Sequence, residues 1–561
     1  MRIVECFYRL KSNRRLCAIC SIVFPILILA VGVIPVLYYV LGPAEGYMTS
    51  DTTDSLLWAY EYYQTGELVS PGFTYAAIIS IGGNQIFYPF LAMFGYSMAA
   101  QIGGLTLFVL LMAAALFWFA TGMGLDRYRS AALTSVAILV LSSSAKLREI
   151  MWEHIFYYNL GILFFCVGFG LAARLLREGG ILQGLSRRRP RDFIYLACLC
   201  VFSVLAALDG LQTLVCLTLP LLAGLLAERF FDVETPLLSR KNLWALLLIL
   251  VVGVSSLLGM KLIDTVTGGI KASYAEMYSA YSDASKWTDN FLGFFNNWFS
   301  LLGVSVRAGE PLASLSSVFT VLRILFAFLL LGLPFALIGF WKRIESRGVK
   351  LALVGHLAVS AFILYAVTFG KLGDADWRLT PMLGSSLLVT FLAAWEMIRA
   401  KGLAMRFGAL ILTVMIAVSL VNLGVIGKMP ADYGKNNSWH RVADELEARD
   451  LRYGYGNFWW AEIVTLLSDG EVQAANVNFS ATDGVKKMNY QLPKNAFDDK
   501  ETDRYFLLLT ESEHNKMETW LSEQSADGKI LDCFEVTSDP YNLRGYTGKV
   551  IYVYVFSDNL F

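Results

Sequence analysis

Long apolar runs, broken by short charged connections, fill the first three quarters of the chain. They read as membrane-spanning helices at roughly 22–41, 97–120, 130–145, 156–176, 192–208, 211–227, 242–263, 316–341, 350–370, 381–399 and 408–427. Most come close to the roughly 20 residues a helix needs to cross the hydrocarbon. The first run is longer than the roughly 7–15 apolar residues of a signal peptide, and no small-x-small site follows it, so it reads as an anchor. After Lys428 the pattern changes. Residues 438–450, Phe458 to Ser468 and roughly 511–525 read as helices, whereas 451–456, 472–477, 505–509, 530–536 and 549–556 read as strands or strand and turn. The expected fold is therefore an α-helical polytopic membrane protein of about eleven spans, followed by a small α/β domain. The expected division is 1–429, with outer loops at 43–96 and 264–315, and 430–561.

Composition agrees. Of 561 residues, 56% are hydrophobic and only 16% charged, where a soluble chain carries about 25%. The formal net charge is zero, which gives no field for a nucleic-acid partner. Seven of the eight cysteines lie in or near apolar runs or the N-terminus, so a disulfide scaffold is not expected, and Cys17-x-x-Cys20 reads as part of an apolar helix. His154, His356, His440 and His514 are scattered and offer no metal spacing.

The position of charge is more informative than its sum. Lys and Arg gather at the N-terminus, at 126–129, 174–191, 228–241, 342–350 and 399–406, and the alternate loops are poor in them or balanced. By the positive-inside rule the N-terminus is cytoplasmic and the tail is outside. The outer stretch from Pro43 to Pro89 then holds Glu45, Asp51, Asp54, Glu61 and Glu67 but no Lys or Arg. Within it, Asp54 to Thr65 has helical spacing and many aromatics, as in a helix lying on a membrane surface.

Three outer features carry candidate chemistry. Asp51 and Asp54 have the spacing of a helix start, with Asp51 as N-cap; they also fit a base that takes a proton from an acceptor hydroxyl. Glu149, Glu153 and His154 sit where the chain re-enters the membrane, either as a solvated helix paired with Lys146 and Arg148 or as a second wall of a site. Arg378, near Lys371, lies outside the reach of the positive-inside rule. Its planar fork suits a phosphate, unless it pairs with Asp374 or Asp376. Asp374-x-Asp376 is also compatible with a divalent metal. Asp209, on a very short outer turn, and Arg323 are further candidates. The aromatic outer loop at 264–315, with Tyr274, Tyr278, Trp287 and Trp298, has the length of a functional loop and suits a cover over a sugar or lipid. No Walker loop, Gly-x-Ser-x-Gly elbow or zinc spacing is present, which favours a substrate already activated in the membrane.

This arrangement resembles the GT-C superfamily of membrane glycosyltransferases, which includes protein mannosyltransferases, aminoarabinose transferases and oligosaccharyltransferases. The resemblance rests on the many spans, the acid in the first outer loop, the basic residue in a late outer loop and the outward soluble tail. It implies a polyprenyl-phosphate sugar donor, inversion at the sugar carbon, Asp51 (or Asp54) as base and Arg378 as the donor-phosphate ligand. It also implies an acceptor that is a glycan, lipid or protein at the outer face of a bacterial cytoplasmic membrane. The Asp-Glu pair of many members is Asp51-Thr52-Thr53-Asp54 here, which leaves subfamily and substrate open. Three other readings stay open. A polymerase or ligase of lipid-linked glycans would depend on Arg378 and His154. A flippase would place polar residues at mid-membrane. A sensor would keep its functional surface in the tail.

Overall fold

The structure, a computed structural model, describes residues 14–75, 81–176, 190–230, 240–270, 280–306, 309, 311–371, 373, 375–435, 437–537 and 550–561. Asp374, Tyr274 and Tyr278 lie outside the described residues. Among the described residues, ten helices are long and apolar enough to cross a membrane, or eleven if a bent pair counts as one span. This is a multi-pass membrane protein.

The bent pair occupies the place of the run expected at 130–145. Helix Arg127–Val140 stops and Ala145–Glu153 leaves it at 118°. Three successive serines explain the break. The Ser142 and Ser143 hydroxyls donate back to Ile138 O and Val140 O at 2.9 and 2.6 Å, and the Ser144 hydroxyl accepts from Leu147 N to open the next helix. Serines that bond to nearby backbone compete with helix continuation and favour a cap. Residues Glu149–Glu153 form a π-helical turn with every residue buried, so this segment is not the solvated helix that the charges also allowed.

In the tail, six strands form one mixed sheet in the order β4-β3-β2-β6-β8-β7. These are β2 (Tyr453–Gly456), β3 (Gln473–Ser480), β4 (Gly484–Lys487), β6 (Tyr505–Thr510), β7 (Ile530–Thr537) and β8 (Val550–Phe556). Strand β2 runs parallel to β3 and β6, with helix Phe458–Leu467 between β2 and β3 in sequence, and the remaining pairs are antiparallel. Every residue of β6 is buried, as a central strand covered on both faces requires.

The tail grips the loop that follows the first span at many points. Strand β1 (Phe73–Thr74), in the loop, pairs antiparallel with β5 (Leu492–Pro493). Asn437 Nδ2 donates to Glu45 O and Met48 O at 2.9 and 3.1 Å, and Met98 N donates to Asp469 Oδ1 at 2.8 Å. Helix Ser50–Thr65 consequently does not lie free on a surface. Its residues Ser50, Thr52, Thr53, Asp54, Ser55, Leu56, Trp58 and Ala59 are buried.

Candidate active site

The first-loop helix, Ser50–Thr65, is set at both ends by local chemistry. Thr49 is extended (φ −133°, ψ 176°), and its N–H donates to Thr52 Oγ1 at 3.1 Å while the Thr52 hydroxyl donates to Thr49 O at 2.7 Å. The N-cap is thus Thr49, and the reading of Asp51 as N-cap is corrected. The two threonines satisfy each other, which leaves the aspartate free of that duty. At the far end Gly66 adopts φ +73°, a left-handed cap that glycine takes without a Cβ penalty.

Asp51 and Asp54 lie three residues apart and so share one face of the helix. Asp51 is half-buried in the first turn, where the peptide dipoles favour a negative charge. Asp54 is buried and faces Glu462 from the tail. Burial, then the Glu462 and Asp51 carboxylates, push the Asp54 carboxyl well above the usual range, with a Gln491 hydrogen bond opposing them. Glu462 is also buried. Its Oε1 accepts from Asn476 Nδ2 at 2.7 Å and its Oε2 from the Thr53 hydroxyl at 3.2 Å. Burial raises Glu462 in the same direction, against those two donors. Gln491, fully buried, takes the Trp58 indole N–H. A network from the tail therefore holds the acid-bearing helix from behind.

The segment after the bend, from Ala145 to Ile155, meets the same helix. Gln101 Nε2 donates to both Thr52 O and Glu153 O, at 2.9 and 3.0 Å, and Ile155 N donates to the Ser55 hydroxyl at 3.1 Å. Glu153 accepts the Tyr39 hydroxyl. Glu149 pairs with Lys146 at 2.9 Å, and His154 stacks on Phe156 with ring centroids 5.6 Å apart. All of Glu149, Glu153 and His154 are buried. Asp209 is buried as well and accepts the Gly82 N–H at 2.8 Å, so it anchors the first-loop backbone.

Arg378 is half-buried and lies just beyond an aromatic cluster that the first loop also enters. That cluster joins Trp58 of the first-loop helix, Phe156 and Tyr158 at the start of span Tyr157–Leu175, and Trp377. Arg378 donates to the Tyr158 hydroxyl and, at 3.5 Å, to Lys371 O. Lys146 reaches the same turn, its ammonium 4.8 Å from the centre of the Trp377 ring. The Lys371 side chain is exposed. Asp376 accepts the Ser300 hydroxyl at 3.3 Å. Ser300 belongs to helix Trp287–Leu301 of the long loop at 264–315, which packs on the turn 376–379. Arg323 is committed elsewhere, to Gly303 O at 2.7 Å and Asn422 Oδ1 at 3.2 Å.

Asp51 and Asp54 thus share the start of the first-loop helix, which the segment of Glu153 and His154 meets through Gln101 and Ser55, while Lys146 reaches Trp377, the neighbour of Arg378, in the aromatic cluster that Trp58 of the same helix enters. Sequence reasoning missed Glu462, Gln491 and Lys146 as members. For Glu462 a signal existed: it is the one charged residue in the apolar helix Phe458–Leu467. Among the described residues, no group of three or more His, Cys, Asp or Glu side chains is placed to hold a metal ion.

Several solved structures are similar to this one. ArnT from Cupriavidus metallidurans in the apo state has 14% sequence identity and a TM-score of 0.48, with 94% of this chain and 97% of that one covered. The same protein bound to undecaprenyl phosphate has 12% identity and a TM-score of 0.47 over the same shares. The Archaeoglobus fulgidus oligosaccharyltransferase tethered to an acceptor peptide with the NVT sequon has 11% identity and a TM-score of 0.49, with 92% of this chain and 73% of that one covered. No family model matches the chain, and no curated protein matches it.

Proposed function

We propose that the chain is an inverting glycosyltransferase that moves a sugar from a polyprenyl-phosphate donor to an acceptor at the outer face of the cytoplasmic membrane. The observation that carries this reading is the meeting of two distant segments. The acid-bearing first-loop helix and the turn bearing Arg378 abut one aromatic cluster through Trp58 and Trp377. An acid and a guanidinium on opposite sides of such a wall suit displacement at a sugar carbon joined to phosphate.

In this mechanism Asp51 is the base. It is the more accessible of the two aspartates, and the helix start favours its charge. It removes the proton from the acceptor hydroxyl as that oxygen bonds to the anomeric carbon. The bond from that carbon to the phosphate oxygen breaks, and the polyprenyl phosphate leaves with the electron pair. Arg378 and Lys146 balance the charge that builds on the phosphate. Asp54, its carboxyl pushed above the usual range by burial and by the Glu462 and Asp51 carboxylates, serves the geometry of the helix. Glu153 and His154 form the wall behind Asp51, and helix Trp287–Leu301 covers the phosphate side.

The test is transfer of radiolabelled sugar from a panel of polyprenyl-phosphate sugars by purified protein in lipid, with Asp51→Asn beside wild type. Transfer by wild type and its loss of about 100-fold or more in the variant is expected. Full activity in Asp51→Asn and Asp54→Asn together overturns the mechanism. Labelled lipid that crosses the bilayer without consumption of donor would establish a flippase instead.

A further inference from the structure

A cavity of about 300 Å³ opens between the first-loop helix and the tail, with Glu462 in its lining. Its volume is at the lower end of the range for small-molecule sites. One wall is the C-terminal half of the first-loop helix, with Tyr60 and Glu61. Tyr96 extends that wall, its ring centre 5.2 Å from that of Tyr60 and tilted by 56°. Facing them are Tyr453 and Gln473, the first residues of the parallel strands β2 and β3.

The charges decide the class of occupant. Glu61, Glu462 and Asp498 line the cavity against one ammonium, that of Lys500. That ammonium donates to Asn495 O at 3.0 Å. Such a lining repels phosphate and other anions. It offers flat tyrosine faces for the C–H surface of a pyranose, with carboxyl and amide groups at the edges for hydroxyls or an amine.

We propose that this cleft is a saccharide-binding site for a neutral or amino sugar, separate from the reacting centre. Tyr60 lies nine residues after Asp51, about 14 Å along the helix axis. A sugar in the cleft is therefore not the one whose hydroxyl meets the base. It is a more distant unit of an extended acceptor. Only this last assignment, to the acceptor, rests on the function proposed above; the binding itself does not.

The experiment uses the full-length protein in lipid nanodiscs with no donor present. Saturation-transfer NMR is recorded with the methyl glycosides of glucose, mannose, galactose, N-acetylglucosamine and glucosamine. At least one is expected to bind saturably, with a Kd on the order of 1–10 mM. Gln473→Ala and Tyr453→Ala should each weaken it about tenfold, and Ala496→Trp, which fills the cavity, should abolish it. Unchanged amide exchange in the sheet verifies that each variant is folded. The proposal is overturned if no glycoside binds, if the variants bind as wild type does, or if trilysine occupies the site in their place. Absence of sugar transfer in the donor assay would refute the catalytic reading and leave the binding result standing.

Discussion

Glu462 gives the sharpest test of how the tail holds the first loop. Its carboxylate accepts from Asn476 Nδ2 and from the Thr53 hydroxyl. Both donors have other acceptors: Asn476 Nδ2 also donates to Tyr490 O at 2.8 Å, and Thr53 Oγ1 to Ser50 O at 2.8 Å. Glu462→Ala therefore strands one buried N–H of Asn476, which costs about 1–3 kcal/mol. Relief of repulsion with Asp54 offsets part of this. Glu462→Gln behaves differently. Its carbonyl accepts from Asn476, its amide donates to the Thr53 oxygen, and Thr53 turns its proton to Ser50 O. The Asn476 N–H keeps its acceptor and only the second N–H of the new amide lacks a named one, so the change costs less than alanine. Hydrogen exchange of the peptide spanning 50–65 reads the difference. The alanine variant should exchange about 5- to 150-fold faster, the equivalent of 1–3 kcal/mol, and the glutamine variant should stay closer to wild type. The pH dependence follows from the raised carboxyls of Asp54 and Glu462. The docked state holds protons that the opened state has already released above the ordinary carboxylate range. Docking therefore weakens as pH rises from that range towards the raised values, and the slope should be smaller in Glu462→Gln. Equal damage from alanine and glutamine would refute the reasoning.

Other outcomes follow from single contacts. Arg378→Ala should raise KM for the lipid donor about 10- to 100-fold, and Arg378→Lys should restore only part, because an ammonium lacks the guanidinium fork; unchanged donor kinetics would remove Arg378 from the site. Ser55→Ala strands the buried N–H of Ile155, at a cost of about 1–3 kcal/mol, seen as faster exchange at that amide. Glu45, raised from 4.5 to about 7 by burial and then by Asp432, is protonated in the folded protein where the unfolded chain has lost the proton. His440 opposes that shift and Asp469 adds to it. Its contribution to stability is therefore lost as pH rises from 4.5 to 7 and is constant above that. A melting series across this window should be flatter in Glu45→Gln, and an unaltered slope would count against the assignment.

Much of the fold was legible because the signals are local. Apolar length alone marks a span, since a helix must cover a fixed thickness of hydrocarbon and satisfy its own backbone there. The strands and helices of the tail were legible from alternation and period for the same reason; the short β4 and β5 were not. The break after Val140 was missed, although Ser142, Ser143 and Ser144 mark it, because an apolar run hides a change of direction. Asp51, Asp54 and Arg378 stood out as charges in unusual places. Local pattern therefore marked most of the elements and the residues worth watching. Tertiary structure decided which of those residues meet. Glu462 came from the tail to face Asp54, and Lys146 came to the turn of Arg378. Contacts between residues hundreds of positions apart are set by packing of whole elements, and no local pattern encodes them.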